Sequence, residues 1–172
     1  MPAQSLEEII RVLKLQPLPG EGGMYAESYR SAEGIPPEGL PARYSTSRSM
    51  GTAIYFLLTD ESDSFSALHI LKTDEIYHFY LGDPVEMLLL LPGGKNRNVI
   101  LGPDLLAGQV VQFCVPAGTW QGSSLKAGGR FALLGATMAP GFDPSDFRLG
   151  VRAELLLGWP HEAEGIRRLT RI

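Results

Sequence analysis

Between residues 43 and 140 the chain is cut into apolar stretches of strand length by turn chemistry. The stretches cover 52–59, 66–72, 75–81, 85–91, 98–101, 110–115 and 130–138. The breaks read DESDS, KTD, GDP, PGGKNRN, GPDLLAG, PAGTW and KAGG. Gly, Pro, Asn, Asp and Ser supply the backbone angles and local hydrogen bonds that close turns. Short strands at this spacing predict an all-β sandwich, jelly roll or small barrel. The texture is even and shows no internal repeat, so residues 1–172 are read as one domain.

The ends read differently. Residues 5–15 predict a helix, with Ser5 and Glu8 as a capping box and Leu6, Ile9, Ile10 and Leu13 on one face. Pro17 and Pro19 stop it. GEGG (20–23) predicts a tight turn, since it lacks the Lys-Ser/Thr of a phosphate loop. Alternation in MYAESYR then predicts a strand, and 31–41 a Gly/Pro-rich loop or an arm toward a second subunit. A short helix is expected at about 152–157, ended by Gly158 and Pro160. His161 and the basic RRLTR tail (167–171) are expected at the surface.

Composition excludes several classes. The formal net charge is -4 with no Lys/Arg block, which argues against nucleic acid as a partner. VEMLLLLP (85–92) is far shorter than the roughly 20 residues a membrane helix needs, so no membrane span is expected. No secretion signal is read at the N-terminus. The single cysteine, Cys114, cannot form an internal disulfide, so a cytoplasmic setting is expected. Its apolar neighbours in VVQFCV predict burial.

Chemistry concentrates in SALHILKTDEIYHFYLGD (66–83). His69 and Glu75 are six residues apart, with a turn expected at 72–74, so they can face each other across a strand pair. Such a pair serves either as metal ligands or as a buried hydrogen-bonded ion pair. His78 follows Glu75 by three and falls on the opposite face of a regular strand unless a bulge returns it. Tyr55, Phe65, Tyr77, Phe79, Trp120 and Met138 are candidates for a pocket wall, or else core filling.

The 66–83 stretch resembles the first motif of the cupin superfamily, His-x-His followed by a Glu and then a Gly. His69, Glu75 and Gly82 fall in register, and Leu71 stands at the second His. PAGTWQ resembles the second motif through Pro116 and Gly118, with Gln121 at its His position. Together with PGEGGMYAESYRS, TAIYFLL, LGPDLLAGQ and APGFDPSDFRLGVRAELL, these blocks look like the uncharacterised family of small stand-alone cupins over residues 13–160. The resemblance implies a double-stranded β-helix, the jelly-roll cupin barrel, over roughly 22–140 with an internal pocket. It also implies a homodimer, and it places Glu21 and Glu27 at the pocket mouth.

Three functions follow as expectations. The first is a small-molecule ligand, a sugar or nucleotide sugar, undergoing metal-independent isomerase or epimerase chemistry. His69 would be the base, Glu75 its orienter, and Tyr55 or Tyr77 the acid. The second is a divalent metal held by His69, Glu75 and Gln121, with His78 recruited through a bulge. The third is a non-catalytic binding module with the same pocket.

Overall fold

The computed structural model describes residues 5–171. Helix α1 spans Leu6–Leu13 with the expected Ser5–Glu8 capping box closed in both directions. Thirteen strands follow: β1 (Gln16–Pro17), β2 (Met24–Arg30), β3 (Gly34–Ile35), β4 (Arg48–Ser49), β5 (Thr52–Thr59), β6 (Ser66–Leu71), β7 (Glu75–Gly82), β8 (Val85–Leu91), β9 (Lys95–Leu101), β10 (Gln112–Val115), β11 (Trp120–Leu125), β12 (Phe131–Met138) and β13 (Phe147–Leu149). Helices α2 (Arg152–Gly158) and α3 (Ala163–Arg168) end the chain. The strands form a six-stranded sheet, β1-β2-β5-β12-β7-β10, and a five-stranded sheet, β13-β6-β11-β8-β9, with β3-β4 as a small ribbon. Every named strand pair is antiparallel, and the whole is the jelly-roll barrel.

The inner faces of the two sheets meet in one core containing Phe56, Leu58, Met87, Leu89, Leu134 and Ala136. Each sheet also carries an apolar outer face. Leu88 and Leu90 pack outward beneath Leu155 of α2 and Ile166 of α3. Leu57 and Leu133 pack outward against Ile9 near α1. This explains why VEMLLLL shows no polar alternation: a strand covered on both faces needs apolar residues at both parities.

Several expectations are corrected. β6 and β7 are not a hairpin. They belong to different sheets, joined at a corner where the buried Thr73 hydroxyl pairs with Tyr44 at 2.7 Å. β11 is a strand the expected set lacks, because WQGSSL shows no apolar alternation; Gln121 and Ser123 are nonetheless buried. Residues 31–41 are mostly loop, as expected, tied within the chain by β3 pairing with β4 and by Ser31 N–H donating to the Gly51 carbonyl. Cys114 is exposed, because β10 is an edge strand that turns Val115 inward instead. The RRLTR tail is not solvated throughout: Leu169 and Thr170 are buried. No helix among the described residues is long and apolar enough to cross a membrane.

Candidate functional site: a buried histidine between two carboxylates

A cavity of about 240 Å³ opens between the sheets. β6 contributes His69 and Leu71, β7 contributes Glu75 and Tyr77, and β12 contributes Met138. Strand alternation puts each of these pairs on one inner face. β2 contributes Tyr25, Glu27 and Arg30. Arg30 breaks strict alternation with Tyr25 and Glu27; a bulge between Glu27 and Tyr29 restores it to the cavity side. Phe142 and Phe147, from the segment after β12, complete the wall.

His69 is 2% exposed and lies between two carboxylates. Its Nδ1 is 3.8 Å from Glu21 Oε1, and its Nε2 is 3.8 Å from Glu75 Oε2. Nδ1–H donates to the Ala67 carbonyl at 2.8 Å, since a carbonyl can only accept. At 3.8 Å from Glu75 Oε2, Nε2 is in ion-pair range of the carboxylate but beyond an ordinary hydrogen bond. The Phe147 ring stacks on the imidazole at 5.1 Å and 28°.

Burial alone would push the imidazole down, but the charges of Glu21 and then Glu75 outweigh it and raise His69 to about 9. The ring is therefore a cation at neutral pH. Burial raises the Glu21 carboxyl, with the nearby Glu75 charge adding and His69 opposing. Tyr77 is pushed well above the ordinary phenol range, by burial first and then by the two carboxylates. It stays a protonated donor.

Glu21 is not on the barrel proper. It sits in the turn before β2, and Ser66 Oγ donates to its Oε1 at 2.7 Å. Its backbone is held by Ala67 N–H at 2.9 Å and by Arg171 Nη2 at 3.2 Å. Arg171 also binds the Gly20 carbonyl, pairs with Asp63, and lies over the Phe65 ring at 4.3 Å. At the mouth, Arg30 and Glu27 form a forked ion pair with Nη2–Oε2 at 2.7 Å.

The cavity brings together His69, Glu75, Tyr77, Glu21 and Met138. Gln121 lies opposite His69 on β11, buried beside the site, and its Nε2 donates to Glu75 Oε2 at 2.7 Å across the two sheets. The other candidates fall elsewhere. Tyr55 shares the parity of Leu57, not of Phe56, and packs outward against Tyr80. His78 faces outward as strand parity requires, and bonds Thr137 at 2.9 Å. No bulge returns it to Glu75. Phe65 precedes β6 and packs under Arg171. Phe79 faces the barrel core but does not line the cavity. Trp120 lies on the outer face, among the C-terminal helix residues. Arg30, Tyr25, Phe142 and Phe147 were missed, because a bulge and a distant segment place them there.

A family model described as Cupin superfamily (DUF985) matches residues 7–150. The chain belongs to this cupin family. It is similar to a hypothetical protein from Leishmania major, at 32% identity and a TM-score of 0.86, over 98% of this chain and 100% of that one. It is similar to protein SO0799 from Shewanella oneidensis, at 33% identity and a TM-score of 0.85, over 98% and 99%. The uncharacterized protein YML079W of Saccharomyces cerevisiae is 29% identical over 84% of this chain and 75% of its own length. Oxalate decarboxylase from Bacillus subtilis shares the fold alone, at 12% identity and a TM-score of 0.51, over 90% of this chain and 37% of that one.

Cupins commonly use the barrel interior for a metal. In this cupin the donor set does not fit one. Leu71 puts a hydrocarbon on the cavity face beside His69. Gln121 points its amide N–H, which cannot ligate, at Glu75 Oε2, the carboxylate oxygen that faces His69 Nε2. Among the described residues no group of three or more His, Cys, Asp or Glu is placed to hold an ion.

Proposed function

We propose that the cavity binds a small polar metabolite and transfers protons to and from it without a metal. The observation that carries this is the buried His69 in the cavity wall, with Nε2 3.8 Å from Glu75 and a second carboxylate, Glu21, 3.8 Å from Nδ1. A polar cluster against aromatic walls is the usual form of a small-molecule site. At about 240 Å³ the cavity falls below the roughly 300–1,000 Å³ of drug-sized sites, which favours a ligand of monosaccharide size over a nucleotide sugar.

The charge state inverts the roles expected from the sequence. A protonated His69 is the acid, and the base falls to a carboxylate. Glu21 suits it, because burial raises its proton affinity. In this reading Glu21 takes a proton from the carbon beside a carbonyl. His69 Nε2–H donates to the carbonyl oxygen, giving an enol. Glu21 then delivers the proton to the former carbonyl carbon while the hydroxyl on the first carbon gives its proton back to His69 Nε2, which completes an isomerisation with no net redox change. Gln121 holds Glu75 in place, and the neutral Tyr77 phenol offers a further donor. The lone cysteine supports a reducing, cytoplasmic setting, and the homodimer rests on the family resemblance.

The test is a thermal-shift screen with monosaccharides, sugar acids and hydroxy acids. Compounds that stabilise the wild type should lose that effect in Glu75→Gln and His69→Asn. They should also gain deuterium at carbon when incubated with the protein in D2O. A screen without hits, or hits that stabilise all three proteins equally, would overturn the site. A hit recovered free of deuterium would overturn catalysis and leave a binding module.

A further inference from the structure

A second opening lies on the other side of the cavity wall. It is a groove of about 700 Å³ lined by Arg43, Lys72 and Arg148, with Gly118, Ser145 and Phe147. The three cations come from three separate segments: the loop before β4, the corner after β6, and β13. Each is held in place. Arg43 Nε donates to the Lys72 carbonyl at 2.8 Å, and its guanidinium lies 4.8 Å from the Tyr44 ring centre. Lys72 Nζ is 3.3 Å from Asp146 Oδ1. The Arg148 guanidinium lies 4.8 Å from the Trp120 ring centre.

The acids nearby do not balance these charges. Asp146 is 4% exposed and already chelated by Arg48 through two 2.6 Å bonds. Asp74 is exposed at the edge, where its Oδ1 accepts from Ala117 N–H. Glu154 reaches Arg148 only at 4.0 Å, with both side chains 64% exposed. A chain of net charge -4 has thus gathered an excess of positive charge at one groove. Gly118 lies in the groove at φ +76° with nothing within 4 Å of where a Cβ would stand, so the backbone there is open to close approach.

We propose that the groove formed by Arg43, Lys72 and Arg148 is a binding site for the phosphoryl group of a small metabolite, independent of the proton chemistry in the cavity. Arginine forks match the spacing of phosphate oxygens and give paired, charge-assisted hydrogen bonds, while lysine adds a point charge. Fixed side chains lose less entropy on binding than free ones. The groove shares Leu71 and Phe147 with the cavity, and Phe147 stacks on His69, so an occupant sits one ring away from the imidazole.

The probe is inorganic pyrophosphate, followed by amide chemical shifts at low ionic strength, with citrate as the carboxylate arm. Pyrophosphate should perturb residues 43, 72, 117–118 and 145–148 saturably, and more tightly than citrate. The double variant Arg43→Gln/Arg148→Gln removes only exposed groups and should keep the wild-type melting temperature. It should weaken binding by about tenfold or more, the scale of one or two charge-assisted hydrogen bonds. Arg97→Gln, an arginine on β9 over Phe113, should bind as the wild type does. Equal affinity in the double variant, shifts confined to the cavity, or no saturation would overturn the proposal. Citrate binding as tightly as pyrophosphate would overturn its phosphoryl specificity. His69→Asn should leave pyrophosphate affinity unchanged, which separates a failure here from a failure of the cavity reading.

Discussion

Replacing Glu21 with Gln tests the electrostatics of the site directly. The substitution keeps the shape and an oxygen to accept from Ser66, and removes only the charge. Glu21 is the largest influence raising His69, against a burial cost that pushes the other way. The distance from 6.5 to about 9 corresponds to roughly 3 kcal/mol of preference for the charged ring, at about 1.4 kcal/mol per pH unit. Without Glu21, only Glu75 and the Ala67 carbonyl oppose burial, and the His69 titration should move down from about 9. The same quantity appears in stability. The folded protein holds a proton that the unfolded chain releases near 6.5, so this contribution is complete below pH 6.5 and is lost as pH rises through about 9. Glu21, also raised, has the same sign: it favours the folded state less as pH climbs above its ordinary value of 4.5. The assay is a long-range ¹H–¹⁵N imidazole titration from about pH 5 to about pH 10, paired with urea unfolding across that range. Wild-type stability should fall between pH 6.5 and 9, by at most roughly 3 kcal/mol, and the fall should flatten in Glu21→Gln. A wild-type His69 that titrates near 6.5, or a titration unchanged by Glu21→Gln, would refute the reasoning.

Three further outcomes are expected. Arg171→Ala should release the Glu21 turn from Asp63 and Phe65 and lower the His69 titration, with Arg171→Lys restoring it only in part for lack of the fork; an unmoved titration would reduce Arg171 to a structural clamp. Arg48→Met should cost about 3–5 kcal/mol in urea unfolding by leaving Asp146 buried with Lys72 as its remaining cation, and Arg48→Met/Asp146→Leu should recover most of it. Leu71→His/Gln121→His should bind Zn²⁺ with proton release in calorimetry, well above the wild type; equal binding by the wild type would contradict the poor fit of the present donors.

Some of this was legible in the residues. The capping box at Ser5 and Glu8 and the strands 52–59 and 85–91 depend on local turn chemistry and side-chain period, which a short window contains. The parity of Glu75 and Tyr77 against His78 follows from the same rule, and it correctly separates cavity from outer face. Tyr55 failed that test because the strand is apolar at both parities: Phe56 fills the barrel and Leu57 the layer near α1, so the sequence gives no hint of which side is inside. β11 escaped notice because a strand that serves a polar site carries Gln and Ser where a core strand would carry Val or Leu.

By itself the sequence determined the class of fold, the cupin motifs with Leu71 and Gln121 in place of two histidines, and the choice of His69 and Glu75 as the central polar pair. Only the tertiary structure decided what that pair is. It separated β6 from β7 into different sheets, so that the two residues meet across the barrel and not along a hairpin. It brought Glu21 from a turn some 48 positions before His69 and pinned it with Arg171 from the other end of the chain. The physical reason is that charge acts through space. The imidazole's proton affinity is set by carboxylates within a few ångströms and by the water that burial removes, and neither distance is written in sequence separation.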